Sequence, residues 1–299
     1  NNRLNVNLDY YDKLTDPLLA AVSVPSSVGS KRVMTNVGSQ RTQGVSGTVK
    51  YSPVYHPEER INWTLSASFK HQKAKYEDIG NSLDQFNKEN LNTSLVRYYD
   101  GGSPTALWAV RSLGINPSDG RELFLTKEGT YTFEYDTEDE VVVGNSEPKL
   151  EGVLGSTLYW KGFSFSLYFR YSLGADVFTE ATYNKVENIS LAGLKSNQDK
   201  RALHDRWQKP GDHAKFKGIS LTETTPISSR FVLRENYIKA ESISVGYDFE
   251  SQAVQKLGIQ SLRLQANTTD LFRISSIKEE RGIEYPFARS FSFSLSAMF

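Results

Sequence analysis

The residues best able to do chemistry in this 299-residue chain are four histidines, His56, His71, His204 and His213. Two of them share one stretch, in which His204 and Asp205 are followed by Asp212 and His213. Two imidazoles and two carboxylates could hold a divalent cation. Zinc ligands, however, are usually spaced more tightly, and the intervening Trp207-Gln208-Lys209-Pro210-Gly211 reads as a turn, so no metal is expected there. Asp136, Glu138, Asp139 and Glu140 offer hard oxygen ligands that calcium favours. They lack the alternate-residue loop with glycine that calcium loops often use, and they run into Val141-Val142-Val143, so they read as a hairpin tip in water. Catalysis has no visible home: no GxSxG, HExxH, phosphate-binding or dinucleotide fingerprint occurs, and no carboxylate pair suggests a surface glycosidase. No cofactor is implied. Four aromatics, Tyr98, Tyr99, Trp108 and Trp207, could touch a substrate, because sugars stack on rings and peptides need paired donors and acceptors near apolar surface. The competing reading of each is ordinary loop packing.

Composition narrows the partners. Lys plus Arg and Asp plus Glu are balanced at 35 each, which removes the broad basic field that neutralises phosphates, so nucleic acid is not an expected partner. The chain has no cysteine, which excludes disulfides and thiolate metal sites. Mean hydropathy is −0.48, and no run approaches the roughly 20 apolar residues that a membrane helix needs. A barrel strand still fits, because it shows alternate residues to lipid and to the lumen and so averages out as polar. Starting at Asn1 without an export signal, the chain reads as a fragment or a processed piece.

The elements that must carry these residues announce themselves by period-2 alternation. In the final segment Phe291, Phe293, Leu295, Ala297 and Phe299 share one face and Ser290, Ser292, Ser294 and Ser296 the other. Segment 162–172 sets Phe163, Phe165, Leu167, Phe169 and Tyr171 against Ser164, Ser166, Tyr168, Arg170 and Ser172. Weaker copies begin near Leu4, Val45, Ile61, Ile243 and Leu262, and an eighth segment at 150–160 leaves its faces open. Several approach the ~9–11 residues with which a tilted strand crosses a bilayer. Connections alternate between short, at 54–60, 161–162 and 250–258, and long, at 14–40, 77–145, 179–230 and 273–288. A soluble β-sandwich also alternates, but it has no reason to alternate its connections in length. The expected fold is therefore an all-β, antiparallel transmembrane β-barrel segment, with about eight strands and long extracellular loops. A soluble or surface-attached β-rich binding module is the alternative.

Several stretches, in order, resemble the SusC/RagA family of TonB-dependent transporters. Tyr11-Asp12-Lys13 with Asp16-Pro17-Leu18-Leu19, Val24-Pro25 and Gly29 comes first. Asn36-Val37-Gly38 with Gln43-Gly44-Val45 follows, where Gln43 and Ser46 stand in place of the usual Asn and Glu. Gly114-Ile115-Asn116-Pro117 with Asp119-Gly120, and Gly144-Asn145 with Pro148 ahead of Tyr159-Trp160-Lys161-Gly162-Phe163, continue the series. Arg206-Trp207-Gln208-Lys209-Pro210-Gly211-Asp212 is the most specific match. Tyr237-Ile238-Lys239, Ser244-Val245-Gly246-Tyr247, Thr269-Asp270-Leu271-Phe272 and Tyr285-Pro286 lead to the end, with Asp270 where Asn is common.

The resemblance implies that residues 1–299 are the C-terminal part of a barrel of about 22 strands whose lumen is plugged. The plug and the N-terminal strands lie outside the chain. It further implies residence in the outer membrane of a Bacteroidetes-like Gram-negative cell, and import of an oligosaccharide or peptide nutrient without enzymatic activity. The implied partners are the remainder of the barrel and its plug, TonB through the absent plug segment, outer-membrane lipid and a SusD-like surface lipoprotein. Phe299, an aromatic ending an alternating strand, is expected to serve as an assembly signal. Arg206, Trp207, Pro210, Gly211 and Asp212 combine a large aromatic with a Pro-Gly turn that fixes the backbone. They are expected to form a rigid loop that braces the outer rim or meets the lipoprotein.

Overall fold

The structure, a computed structural model, describes residues 3–24, 27, 29–30, 32–195, 197–220, 222–249, 258–278 and 289–299. Most of the turn at 250–258 and the Tyr285-Pro286 motif lie outside the described residues, as does Pro25. Fifteen strands are described: β1 (Leu4–Thr15), β2 (Leu19–Ser23), β3 (Arg32–Asn36), β4 (Ser39–His56), β5 (Ile61–Glu77), β6 (Ala106–Ile115), β7 (Glu122–Leu125), β8 (Tyr131–Thr132), β9 (Glu140–Asn145), β10 (Leu150–Trp160), β11 (Phe163–Phe178), β12 (Val232–Phe249), β13 (Ser261–Thr269), β14 (Arg273–Ser275) and β15 (Phe291–Met298). The eight alternating segments become one antiparallel sheet in the order β1-β4-β5-β10-β11-β12-β13-β15, and β14 pairs with β12.

Register turns eight separate alternations into two continuous faces. Because side chains repeat every two residues, residues directly opposite one another share a face. Tyr51 lies opposite Leu4 on one side and Leu65 on the other; Leu65 lies opposite Ser156, and Ser156 opposite Leu167. Leu167 meets Ile243, while Val245 meets Ala266 and Ala266 meets Phe293. The apolar residues of every strand thus form one band across the sheet, interrupted by Ser156, with the other serines, the threonines and the charged residues of the alternating segments mostly behind it. The same register settles the faces of β10: Leu150, Gly152, Leu154, Leu158 and Trp160 join the apolar band. Among the described residues no second sheet packs on that band. Phe291 and Phe293 are 60% and 78% exposed, whereas a sandwich would have buried them under a second sheet. This is the face of a barrel wall that meets lipid.

Several glycines let aromatic rings interlock between neighbouring strands. A methyl group added at Gly152 would fall onto the Ser68 carbonyl oxygen, to which Tyr171 donates its hydroxyl at 2.9 Å. Gly152→Ala must therefore push β5 and β10 apart. The expected cost is about 1–3 kcal/mol, read as a lower denaturant midpoint for unfolding of the full-length protein. An unchanged midpoint would show that the strands separate there without penalty.

The connections differ sharply between the two ends of the sheet. At one end β4 and β5 are joined by a single 3-10 turn, Pro57–Glu59, and β10 and β11 by Lys161-Gly162. Those two residues have φ of 47° and 93°, the positive pair that matches the twist of a tight hairpin. At the other end the connections fold. β2 and β3 form a hairpin; residues 78–149 hold helix α1 (Asp84–Glu89) and the small sheet β8-β7-β6-β9. Residues 179–231 hold a π-helical turn, Thr182–Glu187, and the short helix α2 (Arg201–His204). The three buried apolar clusters among the described residues all lie at this rim. They centre on Val37, Ile79 and Leu83, on Leu107, Ala109 and Ile227, and on Val186, Ala202 and Phe216.

Candidate functional site

The folded rim is where side chains of different connections converge, and its centre is ionic. Glu122 on β7, Glu187 in the π-helical turn and Arg230 just before β12 meet within one buried cluster. Arg230 Nη2 donates to Glu122 Oε2 at 2.8 Å and to Glu187 Oε1 at 3.0 Å. Its Nη1 donates to the Lys215 carbonyl at 2.8 Å, and its guanidinium stacks 4.5 Å from the Phe231 ring centre. Ser228 donates to Glu122 Oε1 at 2.6 Å and Thr225 to Glu187 Oε1 at 3.0 Å. Every member has a partner, as buried charge requires. The cluster ties connection 78–149 to connection 179–231. No sequence signal marks it beyond Glu122 standing on the face of β7 that also carries Phe124.

A second buried pair closes connection 78–149 on itself. Arg97, 1% exposed, donates from Nε and Nη2 to the two oxygens of Glu140 at 2.9 and 2.8 Å. This corrects the reading of the acidic run as a tip in water at its last member alone, which is buried and paired, whereas Asp136 and Glu138 are exposed. Two other members are engaged: Asp136 accepts from the Glu138 N–H at 2.9 Å and Asp139 from the Lys127 N–H at 2.9 Å. Among the described residues no three His, Asp or Glu side chains converge on a cation site. Burial pushes the Tyr135 and Tyr183 hydroxyls up, which keeps them protonated as donors to the carbonyls of Ile227 and Thr225.

Arg206 to Asp212 is built onto the Asn116 to Gly120 segment. Arg206 is 6% exposed and donates to three carbonyls, of Ala202, Lys217 and Glu187. Burial draws its guanidinium below the usual arginine range. Trp207 Nε1 donates to the Pro117 carbonyl at 2.9 Å, and the Gly211 N–H reaches the same oxygen at 2.9 Å. The indole lies so close over Gly120 that an added methyl would come within 2.5 Å of it. Asp212 Oδ2 accepts the N–H groups of Gln208 and Lys209, both at 3.0 Å, which closes the Pro210-Gly211 turn. Two sequence motifs about ninety residues apart are thus one structural unit.

The other aromatics separate. Tyr98 packs on Tyr76 and Phe86 and exchanges backbone hydrogen bonds with the Asn87 amide. Tyr99, 42% exposed, stands against Trp108 with ring centres 5.1 Å apart. Trp207→Ala removes the cover of Gly120 and an indole hydrogen bond, at a cost of about 2 kcal/mol. We expect faster proteolytic cleavage within 206–217 of the full-length protein, with the heat-modifiable gel mobility of the barrel retained. Unchanged cleavage would show that the indole does not hold the loop.

A two-faced sheet with short turns at one end and interlocked folded connections at the other defines a segment of a transmembrane β-barrel wall with its outer rim. No family model matches the sequence. It is 23% identical over 324 aligned positions to TonB-dependent receptor P39 of Formosa agariphila, covering 92% of this chain and 30% of that protein. It is also 23% identical to TonB-dependent receptor SusC of Bacteroides thetaiotaomicron, covering 100% of this chain and 30% of that protein. Among solved structures, the RagAB peptide transporter matches with a TM-score of 0.74 at 20% identity, over 92% of this chain and 30% of that chain. RagAB in its closed-closed state matches with a TM-score of 0.73 at 19% identity. The chain spans about 30% of the length of the relatives it matches. In sequence and in fold it resembles a segment of a SusC/RagA-type TonB-dependent receptor.

Proposed function

We propose that this segment forms part of the wall and outer rim of an outer-membrane importer that takes up an oligosaccharide or a peptide. The observation that carries the reading is the continuous apolar band, open to lipid, backed by a continuous polar face and capped at one end by folded connections. In the described residues β1 and β15 are the two edges of an open sheet. An edge in hydrocarbon would cost several kcal/mol for each unpaired backbone group, so the remaining wall, with a plug in its lumen, is the partner these edges require. Energy would come from TonB through that plug. A SusD-like surface lipoprotein would sit on the rim, where Leu191, Leu194 and Leu203 on connection 179–231 are exposed. The Tyr99–Trp108 pair is the aromatic surface best suited to stack on a substrate ring. Tyr98 and Trp207 would act through the shape of the rim, together with Arg206, Pro210, Gly211 and Asp212. Phe299, 80% exposed at the end of β15, would serve barrel assembly.

The test is growth of a strain lacking the full-length protein on a panel of oligosaccharides and on a peptide digest as sole carbon sources. The expected result is loss of growth on one class, restored by the wild-type gene and not restored when TonB is depleted. Normal growth on every member of both classes would overturn the reading.

A further inference from the structure

Basic side chains gather on the outward face immediately beyond the apolar band. On β5 the band runs through Ile61, Trp63, Leu65, Ala67 and Phe69, and the same alternation continues with His71, Lys73 and Lys75. The β4 register is unbroken through this stretch, placing Val45 opposite His71, Gln43 opposite Lys73 and Arg41 opposite Lys75. These positions lie toward the end of β5 that leads into connection 78–149, so they stand at the outer edge of the band. Acidic groups neutralise some of them: Arg41 pairs with Asp12 at 2.6 Å and Lys75 with Glu77 at 2.7 Å. Lys73 and Lys149 have no acidic partner among the described residues.

Those two lysines line one groove of about 510 Å³ with His71, Arg234, Glu147 and Asp176. Asp176 is already occupied, by Arg234 at 3.3 Å and by the Asn145 N–H at 3.0 Å. Lys149 is held in place: its N–H donates to the Leu173 carbonyl at 2.9 Å, and its carbonyl meets His71 Nδ1 at 2.7 Å. Its aliphatic stem runs past Gly174, where an added methyl would come within 3.0 Å of it. Two ammonium groups beside one groove, with Glu147 as the one carboxylate among its described lining residues not taken by an arginine, leave room and charge for a bound anion.

We infer that this groove holds a phosphate group of an outer-leaflet lipid headgroup. The depth selects the ligand. Lys73, on the lipid-facing parity two residue pairs past Phe69, stands where headgroups lie, and Lys149, on the opposite parity beside the band position Leu150, reaches the same groove from its other wall; each Lys or Arg at such a surface attracts anionic lipid by roughly 1 kcal/mol. The inference rests on the barrel reading of the sheet.

The experiment uses the full-length protein in detergent and measures retention of a monophosphorylated lipid A by native mass spectrometry. Wild type is compared with the double variant Lys73→Glu, Lys149→Glu. We expect the variant to lose retention by at least about tenfold, wild type to bind the dephosphorylated lipid as weakly as the variant binds the phosphorylated one, and millimolar inorganic phosphate not to displace the lipid. Equal retention by a variant that still shows heat-modifiable mobility would overturn the site, as would equal binding of both lipids. Displacement by free phosphate would overturn the assignment to a headgroup. A wild-type protein without heat-modifiable mobility would instead overturn the barrel reading, and the site with it.

Discussion

Replacing Arg230 by methionine should loosen the outer rim by about 3–5 kcal/mol, the range found when one partner of a buried ion pair is removed. Methionine keeps much of the stem and its packing on Phe231, so the lost quantity is the charge and its hydrogen bonds. Glu122 and Glu187 would then face each other with only Ser228 and Thr225 to donate to them, and neither is exposed enough for water to compensate. The failure should be local. β11 and β12 pair along most of their length below the cluster, so the wall should keep its heat-modifiable mobility while amides in 119–125 and 183–190 exchange far faster. A triple variant, Arg230→Met with Glu122→Gln and Glu187→Gln, should recover a large part of the loss, because neutral amides are cheaper to strand than carboxylates. Unchanged exchange in the single variant would show that packing alone holds the two connections together.

The wall was legible in the sequence because its physics is local. Whether Phe165 faces lipid and Ser166 the lumen depends on a two-residue period that any window of ten residues contains, and neighbouring strands only repeat the rule. The register that joins the bands was not legible, yet one-residue slips would expose serine to lipid, so the alternation constrains it. The rim resisted for the opposite reason. Arg230 finds Glu122 across 108 positions of sequence, and Trp207 finds Pro117 across 90; no local pattern distinguishes such a glutamate from a solvated one. Glu140 shows the error this produces, since four acidic residues within five positions look wet until Arg97 claims the last. What could be read at the rim was stiffness: the Pro210-Gly211 turn and a nearby tryptophan marked an ordered segment, although not the surface against which it is ordered.

The sharpest test of the wall sets two neighbouring residues against each other. Leu167 is one of the two middle members of the six band residues from Phe163 to Leu173 on β11, flanked by Ser156 of β10 and Ile243 of β12, so it should lie near the bilayer midplane. Ser166 is one residue away and faces the other side, between Thr157 and Ser244. Arginine at position 167 must carry its charge into hydrocarbon or drag water inward, which costs about 2–4 kcal/mol at the centre of a barrel wall. Arginine at 166 meets the polar face, where a change away from packing contacts usually stays within about 0.5 kcal/mol. Urea unfolding of the two full-length variants in lipid vesicles should therefore separate them by about 2–3 kcal/mol, with Leu167→Arg the weaker. A soluble sheet, wet or buried on both faces, has no reason to rank them by bilayer depth. Its signature would be a penalty at 167 that persists unchanged in detergent micelles too thin to impose a midplane. If instead both variants unfold together with wild type, the apolar band does not face lipid and the barrel assignment fails at its foundation.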